Sequence, residues 1–426
     1  MILYFIYLLL SPFLWLALFI YSFFNDKVRE KMKQQNLTVK KAIRIIENDR
    51  GRKEVVIFHA ASAGEYEQLK PILRLLDKEK YYIVQSFTSP TIFMQVSSSN
   101  QLFDIACYHP YDFFWRSWLF FKFINPKQYV VTRHDLWPGH VSIAHFLKIN
   151  IYFINANIHK NSIWYKPYFR LLSRWVFNKL TIITVPSQSI KNNLLLININ
   201  PLLIKIINDT RFDQILYRSI HQISKVALPK HLIDSEIIIF GSIDLNDEKI
   251  IFPTLKKLFS SGSKTLNKLS KSIIMVPHEV NDNIINRLTS QLTLHQFQYI
   301  LLSDLMSSKI KNLPTTETNV ILVDRVGLLA ELYKYAQKAY VGGGFSRGVH
   351  SVLEPAIYNC SLASGPNIEM LDEAKELVNS HNLKIIKNST MLSDFLMQVD
   401  SKNIKTSSLF INNKSSEDII QLLSCY

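Results

Sequence analysis

The 426-residue chain is poor in the residues that mark several protein classes. It has three cysteines, Cys107, Cys360 and Cys425, too few for a disulfide framework and without the C-x-x-C spacing of a structural zinc site. Their sparseness fits a reducing compartment. Eleven glycines and 15 prolines exclude collagen-like and low-complexity chains. No G-x-x-x-x-G-K-[ST] occurs, which disfavours ATP hydrolysis. His278-Glu279 does not begin a zincin motif, because Asp282 stands where the second histidine belongs. Acidic residues are in deficit, 34 against 49 Lys plus Arg, and the net charge of +15 suggests an anionic partner, or reflects only solubility and codon bias in a chain rich in Ile, Asn and Lys. Nucleic acid is disfavoured, since neither a helix-turn-helix signature nor an RNA-recognition motif is present. A phospholipid surface remains.

Charge is wholly absent from residues 1–24, MILYFIYLLLSPFLWLALFIYSFF. As a helix they would extend about 36 Å, enough to cross the bilayer core. No basic residue precedes the run and no A-x-A follows it, so it reads as a retained anchor rather than a signal peptide. Lys27, Arg29, Lys31 and Lys33 come next. They place the remainder in the cytoplasm by the positive-inside rule and would attract anionic headgroups. Residues 25–50 read as a basic amphipathic connector.

From residue 54 short β-branched runs alternate with helical patterns: EVVIFHA, YYIVQSF, QYVVTRH, INIYFINA and LTIITVPS, then EIIIFGS, SIIMVPH, NVILVD and KAYVGGG. That alternation predicts an α/β chain of two doubly wound, Rossmann-like domains facing a cleft, residues 51–215 and 216–426, behind the hydrophobic anchor helix. The stretch Asn208–Ser224 is the candidate junction. GLLAELYKYAQ and SVLEPAIYN read as helices. In such sheets ligands bind beyond the carboxyl ends of the strands, so the loops there are where chemistry is expected.

After the first strand comes His59-Ala-Ala-Ser62-Ala-Gly64-Glu65. Small residues permit a tight turn, and Glu65 at a helix start is either a general base or a complement to the helix dipole. Arg133-His134-Asp135-Leu-Trp137-Pro138 suggests a polar pocket beside an aromatic wall, or a surface turn. Gly241-Ser242 before a helix is a phosphate site or an ordinary cap. Gly342-Gly343-Gly344 ends a strand and can cradle an anion, with Glu354 beyond it accepting from a ribose diol, or the segment is a Gly-rich turn with a solvated Glu. Arg347 excludes G-x-G-x-x-G.

Taken together the ordered segments HAASAGEYEQLKP, FTSP, RHDLWP, NANIHKNS, VPSQS, NDTRFD, FGSIDLNDE, VPHE, GLLAELYKYAQKAYVGGGF, VHSVLEPA and SGPN resemble the Kdo transferases. These enzymes move 3-deoxy-D-manno-oct-2-ulosonic acid (Kdo) from its CMP ester to a lipid A precursor. The resemblance implies a GT-B fold and an inverting, metal-independent transfer with no cofactor, CMP-Kdo being a co-substrate. It implies Glu65 as the catalytic base. Ser242, His278, Gly343, Gly344 and Glu354 become donor contacts, and Ser62, Gly64, Arg133, His134 and Asp135 line the acceptor or sugar pocket. The implied partners are CMP-Kdo, the lipid A precursor and anionic membrane lipids, with neither nucleic acid nor a protein partner, at the inner membrane facing the cytoplasm. A GT-B enzyme using a UDP-sugar, and a non-catalytic membrane-tethered nucleotide- or lipid-binding protein, are the alternatives.

Overall fold

The structure, a computed structural model, describes residues 2–97, 101–158, 162–221, 226–260, 262–307, 319–398 and 414–425. His159-Lys160-Asn161 of the NANIHKNS segment lie outside these residues. The chain divides into two compact units, Met1–Gln214 with Asn413–Tyr426, and Ile215–Asn412.

Unit 1 is built on seven parallel strands: β1 Glu54–Ala60, β2 Tyr81–Phe87, β3 Ile105–Tyr108, β4 Gln128–Thr132, β5 Asn150–Ile154, β6 Ile182–Val185 and β7 Ile204–Ile206. Their order is β3-β2-β1-β4-β5-β6-β7. Val55 to Ala60 are all buried, as a strand covered on both faces requires. Unit 2 repeats the plan with β8 Glu236–Ile243, β9 Lys271–Pro277, β10 Tyr299–Leu301, β11 Val320–Leu322, β12 Lys338–Val341, β13 Ser361–Ser364 and β14 Leu383–Ile385, in the order β10-β11-β9-β8-β12-β13-β14. Two parallel α/β domains of GT-B type result.

The apolar segment forms helix α1, Ile2–Ser22, and Leu3–Ser22 is long and apolar enough to cross a membrane. It docks along one stripe. Tyr4, Ser11 and Ser22 are buried, while Phe5, Leu9, Phe13, Leu16 and Ile20 are exposed. Tyr4 packs 4.8 Å from the Trp175 ring, and Tyr7 donates to the Asp112 carbonyl. Helix α2, Asp26–Asp49, begins on an Asn25 cap and buries Lys31, Gln35, Ala42 and Ile46. The expected headgroup cluster is therefore split. Lys27, Arg29 and Lys33 are exposed, but Lys31 turns inward over the Tyr111 ring, 4.3 Å from its centroid.

The unit boundary falls between Gln214 and Ile215, inside the expected junction Asn208–Ser224 and within the helix Arg211–His221, whose Gln214 is buried. Two expectations need correction. The C-terminal residues belong to unit 1 rather than to the second domain. The helix Ser415–Ser424 buries Ile419 and Leu423 in the core around Tyr66 and Leu69, and Gln128 donates to the Leu423 carbonyl at 2.7 Å. The helices read in GLLAELYKYAQ and SVLEPAIYN shrink to single turns, Leu329–Leu332 and Leu353–Ala356. The first tightens into a 3-10 turn at Tyr333–Tyr335 because Ala336 must turn extended to feed β12.

Candidate active site

In unit 1 the chain leaves β1 towards β2 and β3, then returns on the other flank at β4. The loops after β1 and β4 diverge there, which opens the crevice where open α/β sheets bind ligands. The first loop feeds helix α3, Ala63–Leu75, through a capping box. Ser62 Oγ accepts from Glu65 N–H, and Glu65 Oε2 accepts from the N–H groups of Ala61 at 2.6 Å and Ser62 at 3.2 Å. The carboxylate is 6% exposed. Burial pushes its proton affinity above the ordinary Glu range, against the pull of the two amides and of His59. A carboxylate held rigidly, desolvated and made more basic suits proton abstraction as well as capping. A Cβ on Gly64 would stand 4.0 Å from Ser62 Oγ, an ordinary contact, so the fold itself does not demand glycine there.

The second loop brings in Asp135, which accepts three hydrogen bonds: His59 Nε2 at 2.8 Å, Thr88 Oγ1 at 3.1 Å and Trp137 Nε1 at 2.6 Å. Burial works to raise its proton affinity, but these donors and the His59 charge outweigh it, and the carboxyl stays far below the usual range. His59 continues through Ser86 (3.0 Å) to His109, which meets the Tyr129 hydroxyl at 3.0 Å. Burial, with His59, His140 and Lys31 as neighbours, keeps His109 neutral. Arg133 is half-buried, with its Nε 3.2 Å from the ring of the more exposed His134, which lines the same apolar cavity as Asp135. That cavity, of about 430 Å³, lies between α1 and this loop, walled by Tyr4, Trp137, Trp164 and Leu172 with Asp135 at its edge.

In unit 2 the corresponding divergence is between β8 and β12. Here the glycines have individual structural reasons. Gly343 has φ 86°, and a Cβ on Gly344 would lie 2.7 Å from Gly365 Cα. Fully buried Asp247 clamps the loop, accepting from Gly343 N–H at 2.8 Å, the Tyr340 hydroxyl at 2.8 Å and Asp244 N–H at 3.0 Å. Two of the three amides expected to cradle an anion are thus occupied, since Gly342 N–H bonds to Gly241. The Gly344 N–H has no acceptor among the described residues. Ser242 is not the cap of the following helix. It holds φ 54°, and Asp244 caps Leu245–Leu258. His278 stacks on His350, 4.2 Å between centroids. Glu354 lies in its short turn beside Arg218 and Tyr358, around a hollow of about 10 Å³. That holds at most one water, so a ribose there requires the surrounding side chains to open.

The β1 loop thus joins Ser62, Gly64 and Glu65, and the β8 and β12 loops carry Ser242, Gly343 and Gly344 with His278 nearby. Glu354 neighbours Tyr333, whose hydroxyl packs against Gly241 at the end of β8. Sequence reasoning missed His59, Thr88, His109, Asp247 and His350 as site groups. A polar residue closing an otherwise apolar strand, as in EVVIFHA, was the available signal for His59.

A family model described as 3-deoxy-D-manno-octulosonic-acid transferase (kdotransferase) matches residues 30–214. The chain is 27% identical over 375 residues to a 3-deoxy-D-manno-octulosonic acid transferase of Aquifex aeolicus, covering 86% of this chain and 90% of that protein. It is 24% identical over 446 residues to the one of Rickettsia bellii, covering 99% and 98%. Among solved structures, the UDP-GlcNAc 2-epimerases of Methanocaldococcus jannaschii and Neisseria meningitidis share the fold. Their TM-scores are 0.57 and 0.58 at 18% and 13% identity, and each match covers 88% of this chain and 100% of theirs. That family model thus covers the N-terminal unit, and with relatives of 24–27% identity running nearly end to end the chain is similar to the Kdo transferases over most of its length.

Proposed function

We propose that the chain transfers Kdo from CMP-Kdo to a lipid A precursor, lipid IVA, at the inner face of the cytoplasmic membrane, with inversion and without a metal or other cofactor. The family match over residues 30–214 and the similarity to Kdo transferases along most of the chain support the donor and the sugar. The observation that carries the mechanism is Glu65, a buried and basic carboxylate fixed at the switch point of the N-terminal sheet. In a single displacement an acceptor hydroxyl oxygen bonds to the anomeric carbon of Kdo as the bond to the CMP phosphate oxygen breaks. The hydroxyl proton passes to Glu65, and the electron pair leaves with CMP. Ser242 and the Gly344 N–H are the donors for the departing phosphate. Asp135, held anionic by His59, Thr88 and Trp137, orients sugar hydroxyls. The apolar cavity beside Trp137 suits part of an acylated acceptor, and the exposed face of α1 suits the hydrocarbon of the bilayer.

The test is transfer of labelled Kdo, from CMP-Kdo generated in situ, to tetraacylated lipid A precursor by the purified full-length chain. Product, with inhibition by CMP and not by UDP, is expected. Inhibition by UDP alone would move the donor to a UDP-sugar. Nucleotide binding without any transfer would point to a binding protein.

A further inference from the structure

A second cavity of unit 1 shares no residue with the one beside Trp137. It measures about 420 Å³ and lies between α2 and the helix Phe114–Ile124. Its floor is apolar, with Val39, Ile43, Phe120 and Phe123, and its rim carries Lys40, Arg44 and Arg116. Arg116 donates to Asn36, but among the described residues none of the three cations forms an ion pair. Of its apolar lining, Leu119 and Phe123 are 49% and 54% exposed. The helix that supplies half the cavity continues directly from α1, the segment apolar enough to cross a membrane.

Two chemistries are therefore joined in one hollow. A soluble sugar phosphate would satisfy the cations but leave the floor wet. An apolar chain alone would leave three positive charges uncompensated. An amphiphile with an anionic head satisfies both. The volume falls in the range of small-ligand pockets. The cavity contains neither carboxylate nor histidine, so nothing in it can act on an acceptor hydroxyl. We propose that it binds an anionic phospholipid of the bilayer, with the phosphate on Lys40, Arg44 and Arg116 and an acyl chain along Val39, Ile43 and Phe123. The bound lipid holds unit 1 at the membrane surface independently of substrate.

The experiment uses the full-length chain extracted from vesicles of phosphatidylcholine mixed with phosphatidylglycerol, with retained lipid counted by native mass spectrometry. The triple variant Lys40→Gln/Arg44→Gln/Arg116→Gln is compared with Lys27→Gln/Lys33→Gln/Lys41→Gln, which removes the same charge from exposed positions of α2. Wild type and the second variant should each retain one phosphatidylglycerol, and the first should lose it, with a roughly hundredfold weaker affinity for that lipid. Ile43→Trp fills the floor without changing charge and should also expel the lipid, which keeps the proposal testable if the triple variant misfolds. Equal loss in both triple variants would mean diffuse attraction and overturn the site. Retention of phosphatidylcholine as firmly as phosphatidylglycerol would overturn the anion recognition. Neither outcome depends on whether Kdo is transferred.

Discussion

Replacing Glu65 by Gln separates two roles that one carboxylate performs. The side chain caps α3 through Oε2, which accepts from Ala61 and Ser62 at 2.6 and 3.2 Å. An amide oxygen can accept both bonds, and Gln serves at this position of a capping box as Glu does. Glu65→Gln should therefore leave the fold intact. Because burial raises the folded-state proton affinity, the charged form is disfavoured by folding. The stability linked to this carboxyl is fully present below the unfolded value near 4.5 and is lost as pH rises through the higher folded value. At pH 7 the amide removes that cost, so the variant should melt at or slightly above the wild-type temperature. It cannot accept the hydroxyl proton, and kcat should fall by about 10²–10⁴. Glu65→Ala loses both functions. It leaves buried amides unsatisfied, which should cost about 1–3 kcal/mol in addition to the same rate loss. The assay is labelled Kdo transfer alongside thermal unfolding by circular dichroism, with CMP binding as control. Turnover of Glu65→Gln within tenfold of wild type would refute the base. A melting loss in Gln equal to that in Ala would refute the cap.

The remaining predictions concern the supports of the two sites. Gly344→Ala drives a methyl to 2.7 Å from Gly365 and should cost about 1–3 kcal/mol with loss of CMP binding; calorimetric melting and CMP titration measure both. Asp247→Asn weakens three buried bonds in the glycine loop and should lower CMP affinity before it unfolds unit 2, seen as weaker titration with most of the melting temperature retained. Deleting residues 414–426 strips Ile419 and Leu423 from the unit 1 core and should lower its melting transition while leaving CMP binding by unit 2 unchanged. Asp135, whose proton affinity is depressed, contributes stability above the unfolded value near 3.8 that is lost as pH falls through the folded value. Asp135→Asn should therefore flatten the acid limb of unit 1 unfolding.

Much of the fold was legible because its signals are local. Fully buried parallel strands must be apolar on both faces, so EVVIFHA, EIIIFGS and KAYVGGG announce themselves, and the loop after each is where chemistry collects. The uncharged segment 1–24 needs only its length and composition to be read as a helix long and apolar enough to cross a membrane. The short turns at Leu329–Leu332 and Leu353–Ala356 were over-read because their apolar spacing suits a helix, while their ends are set by the strands they feed.

The amino-acid order thus settled the two-domain α/β plan, the apolar N-terminal helix and Glu65 at a helix start, since each rests on neighbours within one or two turns of chain. Only packing could bring Asp135 to His59 across 76 residues, or return Leu423 to Gln128 across 295. Packing likewise turned Lys31 inward and engaged Gly343 with Asp247. Contacts between distant segments depend on which strand lies beside which, and a linear pattern of polar and apolar residues does not encode that order.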